Sequence, residues 1–162
     1  MKLEWMGRNR EFVRLLFKYQ NLFSHYDKKI PSNSGISLNA QQWQTLECII
    51  EHEDENRNMF FMANQIGLPK STFSKNVKQL VDYGFVDRYR QSGNNKNIIL
   101  KPSDKGSEYY RIHSEIIFER MWNIPFSVLD KLSDENLFLM EEFMSKMIAA
   151  LEPEVRELYK IQ

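Results

Sequence analysis

Ala63-Asn64-Gln65-Ile66-Gly67-Leu68-Pro69-Lys70-Ser71-Thr72-Phe73-Ser74-Lys75-Asn76-Val77-Lys78-Gln79-Leu80-Val81-Asp82-Tyr83-Gly84 reads as a helix, a tight turn and a second helix, with a glycine closing each helix. In the second helix Phe73, Val77, Leu80 and Val81 recur at the spacing of one apolar stripe, and Ser71, Thr72, Lys75, Lys78 and Gln79 fall on the other side. That outer side has cations and hydrogen-bonding groups with one acid, Asp82. Taken alone, it fits a solvated helix surface as well as it fits a nucleic-acid groove.

The residues that follow tip the balance. Phe85-Val86-Asp87-Arg88-Tyr89-Arg90 and Asn97-Ile98-Ile99-Leu100-Lys101 are rich in strand formers, and Ser92-Gly93-Asn94-Asn95 between them has turn chemistry. Together they predict a hairpin wing bearing Arg88, Arg90, Lys96 and Lys101. A helix of this kind can lie in a major groove, where ammonium groups meet phosphates and hydroxyls and amides meet base edges, while a cationic wing follows the neighbouring backbone. The candidate DNA contacts are Lys70, Ser71, Thr72, Ser74, Lys75, Asn76 and Lys78 on the helix, with Arg88, Arg90, Asn95 and Lys96 on the wing.

Charge distribution agrees. The chain has 22 Lys+Arg and 22 Asp+Glu, so the total charge says nothing of a polyanionic partner. From Pro69 to Lys105, however, eight bases stand against three acids, a local net of +5, which leaves −5 for the remainder. Such a surface binds double-stranded DNA locally and loses it steeply as salt rises.

At 162 residues and 42% apolar, the chain can bury one moderate core, or one core plus a large shared interface. The opening Met1-Lys2-Leu3-Glu4-Trp5 is unlike a signal peptide, and no stretch approaches the roughly 18 apolar residues of a membrane span. The single cysteine, Cys48, excludes an intrachain disulfide and fits a reducing cytoplasm. A long helix is expected from about Trp5 to Lys28, with Phe12, Leu15, Leu16, Tyr19, Leu22, Phe23 and Tyr26 at helical spacing and Val13 and Phe17 widening the arc. Ser133-Asp134-Glu135 opens a last helix striped by Leu137, Met140, Phe143, Met144, Met147, Ile148 and Leu151 and ended by Pro153. These two helices offer more apolar surface than one winged domain can cover, which predicts a homodimer.

Between them, Asn39 can cap a helix holding Trp43, Leu46, Ile49 and Ile50, and Ser103-Asp104 can cap another running to about Trp122, with Asn123-Ile124-Pro125 breaking the chain after it. Glu51 to Asn58 reads as an exposed loop, and Pro31 to Gly35 as a connector. The expected fold is mainly α: a winged helix-turn-helix with a two-stranded β-hairpin wing and N- and C-terminal dimerisation helices. Residues 1–38 and 104–162 would form the dimerisation region and 39–103 the DNA-binding domain.

In order and in residues this pattern resembles the MarR family of bacterial transcription regulators. The resemblance rests on Ala63, Gly67-Leu68, Ser71-Thr72-Phe73-Ser74-Lys75, Leu80-Val81-Asp82-Tyr83-Gly84-Phe85-Val86 and Arg88, then Pro102-Ser103-Asp104-Lys105-Gly106 after the wing. It implies a dimer on a pseudo-palindromic operator, usually as a repressor, and a small aromatic or amphipathic effector for which Phe17, Tyr19, Trp43 and Tyr110 are the candidate lining. Two positions depart from the family pattern. Asn94-Asn95-Lys96 stands where an Asp-Arg-Arg wing tip is common, so Lys96 and Asn95 should make a weaker, less shape-selective contact than the planar arginine fork. Pro69 stands where a capping serine is usual, and proline suits a first helical turn.

Other chemistries find less support. Cys48 lies near Glu47 and Glu51, whose charges raise a thiol pKa, and reads as structural, not as a redox switch. His25, His52 and His113 fall on three different helices or helix ends without HxxxH or CxxC spacing, so neither a metal nor a cofactor is expected. No Gly-rich phosphate loop, nucleophile elbow or paired carboxylates point to an enzyme. The alternative is a winged-helix protein-interaction adaptor without DNA binding, because the fold does not fix the partner.

Overall fold

The computed structural model describes residues 4–25, 35–91 and 94–151 of the 162, with the side chains of 4–5, 24–25, 91 and 94–97 outside that set. The chain divides into two compact units, Met1–His113 and Ser114–Gln162.

In the first unit the expected opening helix begins late. Gly7 has φ 50° and ψ −134°, a conformation open to glycine and costly for other residues, and it kinks the 3₁₀ segment Glu4–Asn9 that precedes α1, Arg10–His25. Tyr26 to Lys28 lie outside the described residues. None of the described side chains of α1 is buried. Helix α2, Ala40–Glu51, starts as expected at Asn39, whose side chain accepts from Gln42 N while the Gln42 side chain accepts from Asn39 N, both at 2.9 Å.

Helices α3, Met59–Gln65, and α4, Lys70–Asp82, end in the same way. Gly67 and Gly84 sit at φ 64° and 73°. After each glycine the next amide reaches back five residues, Leu68 N to Ala63 O at 2.9 Å and Phe85 N to Leu80 O at 2.8 Å, which satisfies a carbonyl that the helix leaves open. The loop before α3 is exposed over most of its length, yet its last residue is anchored. Asn58 caps α3 by accepting from Phe61 N, and its backbone bridges Ile99 in the wing.

The wing pairs β1, Val86–Gln91, antiparallel with β2, Asn94–Pro102, in the register Val86 to Pro102, Arg88 to Leu100 and Arg90 to Ile98. Both strands are longer at the tip than the sequence predicts, since Asn94, read as turn, pairs with Gln91. Leu38, Leu46, Ile49, Met62, Phe73 and Leu80 form the fully buried centre of this unit, with Phe85, Val86 and Leu100 closing it from the root of the wing. Helix α5, Asp104–Ile117, is clasped to that root. Ser103 Oγ donates to Gly84 O and accepts from Gly106 N, and a Cβ on Gly106 would lie 2.0 Å from Phe85 O, so only glycine allows the approach.

In the second unit the expected break at Asn123-Ile124-Pro125 does not occur. A π turn over Phe118–Trp122 leads into α6, Asn123–Leu129. Pro125 is the third residue of α6, and the π turn, whose wider winding differs from the α-helical ladder a proline disrupts, lies directly ahead of it. The chain turns at Asp130 to Ser133 into α7, Asp134–Leu151, where Asn136 N donates to Ser133 Oγ. No residue of α6 or α7 is buried. Pro153 lies outside the described residues. Among the described residues, no helix is long and apolar enough to cross a membrane.

Candidate nucleic-acid interface

Helix α4 has two opposed sides. Phe73, Asn76, Val77 and Leu80 are buried, and Lys70, Ser71, Ser74, Lys75 and Lys78 are exposed, with Thr72 half-buried between them. Ser71, Ser74, Lys75 and Lys78 follow one another at i, i+3, i+4 and i+7, so hydroxyls and ammonium groups share one line down the helix. Pro69 is the N-cap, one position ahead of the first turn that the sequence reading gave it, and no side chain caps the helix. The free N–H groups of that turn add positive potential beside Lys70 and Ser71.

On the wing, the register puts Arg88 and Arg90 on one face, two residues apart on β1, and both are exposed. Asn95 and Lys96 have backbones in β2, but their side chains lie outside the described residues. Among the described residues, carboxylates pair with Arg14, Arg57, Arg111 and Lys146, and none pairs with Lys70, Lys75, Lys78, Arg88 or Arg90. Arg8, Arg10, Lys18, Arg120 and Lys131 have no ion pair among the described residues either, so what sets these five cations apart is that they share the exposed sides of α4 and the wing.

Three assignments need correction. Asn76, a candidate DNA contact, is only 4% exposed, and its amide donates to Thr45 Oγ1 of α2 at 3.1 Å. It cannot reach a base edge. Gln79, placed on the outer side, is half-buried and accepts from Gln42 Nε2 at 2.7 Å. Lys105, counted with the cationic segment, donates from Nζ to Tyr83 O at 2.7 Å and lies 5.2 Å from the centre of the Phe85 ring, so it closes the end of α4 and is not free for a phosphate. Sequence reasoning missed Gln42 and Thr45. The available signal was polar residues flanking Trp43 and Leu46 at core spacing on α2.

The candidate effector residues divide in two. Trp43 and Tyr110 stack at 4.9 Å between ring centres, and Tyr110 OH donates to Glu47 Oε1 at 2.8 Å. Burial first, and then the hydrogen bond and charge of Glu47 and the charge of Glu51, push the Tyr110 phenol up to about 12. Phe17 and Tyr19 stand on α1, 55% and 56% exposed, with Tyr19 stacked on Phe23. They are not buried against the Trp43–Tyr110 stack. Cys48 is buried, its thiol pushed up to about 11 by burial first and by Glu51 and Glu47 next, which is the environment of an unreactive thiol. His113 is buried, with Nδ1 2.7 Å from Tyr109 O, and His52 Nδ1 lies 3.0 Å from Cys48 O. The side chain of His25 lies outside the described residues.

Residues 38–98, which run from just before α2 into β2, match the MarR family model. The HTH-type transcriptional regulator PchR of Bacillus subtilis (strain 168) is 24% identical over 119 residues, covering 74% of this chain and 69% of PchR. The S. aureus MepR–DNA complex shares the fold with a TM-score of 0.58 at 16% identity, over 93% of this chain and 97% of MepR. Streptococcus pneumoniae FabT in complex with DNA does so with a TM-score of 0.60 at 14% identity, over 89% and 95%. The solved structures speak to the fold, the family model to the segment that holds the helix-turn-helix and the wing. Over that segment the chain is similar to the MarR family, and its fold is the winged helix-turn-helix of the solved structures.

Proposed function

We propose that the protein acts in the cytoplasm as a homodimeric repressor on a pseudo-palindromic operator, each α4 reading one half-site from the major groove. One observation carries this reading: the outer line of α4 and the wing arginines are exposed and unpaired, while the opposite side of the same helix is locked in the core. Lys75, Lys78, Arg88 and Arg90 then neutralise phosphates, with Lys96 and Asn95 at the wing tip, and Ser71, Thr72 and Ser74 meet base edges. The printed descriptions of MepR and FabT as DNA complexes, and of PchR as a transcriptional regulator, support the same partner.

Residues 1–38 and 104–162 supply the pairing surface in this reading, around the DNA-binding segment 39–103. The exposure of Phe12, Leu15 and Leu22 on α1 and of Phe138, Ile148 and Leu151 on α7 supports it, since apolar side chains arrayed along a helix mark a surface for association. A small aromatic or amphipathic effector, held near Trp43 and Tyr110 with Phe17 and Tyr19 closing on it, would release DNA by changing the separation of the two α4 helices. Selection of bound sites from a random duplex pool tests the proposal. The expected product is two half-sites related by a two-fold axis and centred about 10 base pairs, or a multiple, apart. A protein that shifts no duplex at low salt overturns the reading and leaves the protein-binding adaptor in its place.

A further inference from the structure

Four polar side chains cross the interface between α2 and α4, where the surrounding residues are Phe73, Val77, Leu46 and Ile49. Gln42 Nε2 donates to Gln79 Oε1 at 2.7 Å, and Asn76 Nδ2 donates to Thr45 Oγ1 at 3.1 Å. Gln42, Thr45 and Asn76 are each at most 5% exposed. Among the described residues, no buried side-chain nitrogen or oxygen lacks a partner.

We infer that these two hydrogen bonds form a latch that fixes the roll of α4, which makes Asn76 and Gln79 positioning residues for base readout and not contacts to DNA. The inference rests on the DNA-binding reading above. On α2, Gln42 and Thr45 are three residues apart, as are Asn76 and Gln79 on α4, so each helix presents its two groups one turn apart on one face. Two attachments a turn apart oppose both rotation and sliding, which one attachment or a smooth apolar contact does not.

The latch is also directional. The Thr45 hydroxyl proton is committed to Gln41 O at 2.7 Å, so its oxygen faces Asn76 as an acceptor. The Gln42 amide oxygen is committed to Asn39 N in the capping box, so its NH₂ faces Gln79 as the donor. Apolar contacts alone specify one arrangement less sharply, since cores that keep their volume and pattern lose uniqueness before they lose stability. Buried hydrogen bonds specify it sharply, because Gln42, Thr45 or Asn76 turned from its partner is left unsatisfied out of reach of water.

The outer line of α4 moves with the inner one. Lys75 and Asn76 are adjacent, as are Lys78 and Gln79, so whatever fixes the inner pair fixes the outer groups. A roll of about 20° carries a side chain roughly 6 Å from the helix axis through about 2 Å. That displacement breaks a hydrogen bond to a base edge, whereas a lysine on its flexible stem still finds a phosphate. The latch therefore governs discrimination between sequences and leaves affinity for DNA at large alone.

The test compares wild-type protein with Thr45→Val/Asn76→Leu, which replaces one bond with an apolar pair of similar shape. Binding is measured at one salt concentration on a duplex selected from a random pool and on a random duplex, with Tm as the measure of folding. Affinity for the selected site should fall about tenfold or more, a loss comparable to a mismatched base pair, while random-duplex affinity stays within about twofold. The conservative Thr45→Ser, which keeps the hydroxyl, should retain the wild-type ratio. Should the double variant fail to fold, Gln79→Met, at a half-buried position, gives the same readout. A folded variant with an unchanged ratio, or one that loses both duplexes equally, overturns the latch alone. A wild-type protein that binds neither duplex overturns the DNA-binding reading and the latch with it.

Discussion

In α4, Phe73, Val77 and Leu80 are wholly buried, whereas in α7 Phe138, Ile148 and Leu151 are 64%, 55% and 83% exposed. Both helices show apolar residues at helical spacing, so the difference lies in their neighbours. α4 faces Leu46 and Ile49 of α2, Met62 of α3 and the root of the wing, and its polar inward groups have partners on α2. α7 has no buried residue at all. Each 100 Å² of apolar surface left in water forgoes about 2.5 kcal/mol. The winged helix is thus complete within one chain, and the flanking helices, on the reading proposed above, complete themselves on a second copy.

Truncation in each region should give the largest difference between them. Phe73→Ala should cost about 3–5 kcal/mol in urea denaturation, as transfer and cavity terms add in a site that is fully closed. Ile148→Ala, measured at protein concentrations low enough to keep protomers apart, should cost no more than about 0.5 kcal/mol. Equal costs would mean that α7 is packed within its own chain, and the contrast would fall.

A charge placed on the exposed stripes of α1 or α7 tests association directly. Leu15→Glu or Ile148→Glu should leave the secondary structure of the protomer intact and weaken association by about 2 kcal/mol or more, roughly thirtyfold in Kd, read by sedimentation velocity. Affinity for a two-half-site duplex should drop with it, because the linkage between half-sites is lost. Wild-type protein that sediments as a protomer at tens of micromolar would sink the dimer.

What could be read from the residues follows from how local each determinant is. Gly67 and Gly84 were legible because both helix ends require a positive φ, and Asn39 because an N-cap needs a short acceptor. Asn76 reads as an outer residue by its polarity, whereas its spacing puts it on the inner side. It stands three residues after Phe73 and four before Leu80, a core position throughout, and its partner Thr45 is 31 residues distant. Lys105 reads as a free cation because its acceptor is a helix-end carbonyl 22 residues back. Pro125 reads as a breaker by composition, whereas the chain runs from a π turn into α6 through it. Asn94 looked like turn because of its side chain, whereas strand pairing uses the backbone.

The lysines permit a finer comparison within the cationic segment. Lys75→Ala and Lys78→Ala should each lower the slope of log affinity against log salt by about 0.9, while Lys105→Ala should leave the slope unchanged and lower Tm, because its ammonium serves the end of α4. Serines make the complementary case. Ser71→Ala should alter preference among duplexes at constant salt slope. A Lys105 variant that reduced the slope as much as Lys75→Ala would put its ammonium on DNA.

The smallest effect concerns Cys48, in the closed region. Its thiol is ordinarily near 9.0 and is pushed up to about 11 in the folded chain, chiefly by burial. Between those values the unfolded chain has lost the proton and the folded chain keeps it, so the folded state binds more protons and stability falls as pH rises. The stability this group contributes is complete below about pH 9 and is lost through about pH 11. Tyr110, raised to about 12, acts in the same direction over a higher range. Cys48→Ala should therefore make the alkaline decline of Tm shallower between about pH 9 and 11 while leaving DNA affinity at neutral pH unchanged. The thiol should also resist alkylation at neutral pH, where the thiolate is scarce. Rapid alkylation under native conditions, or loss of DNA binding on mild oxidation that Cys48→Ser abolishes, would show that α2 opens around the thiol and that the winged helix is less closed than its burial indicates.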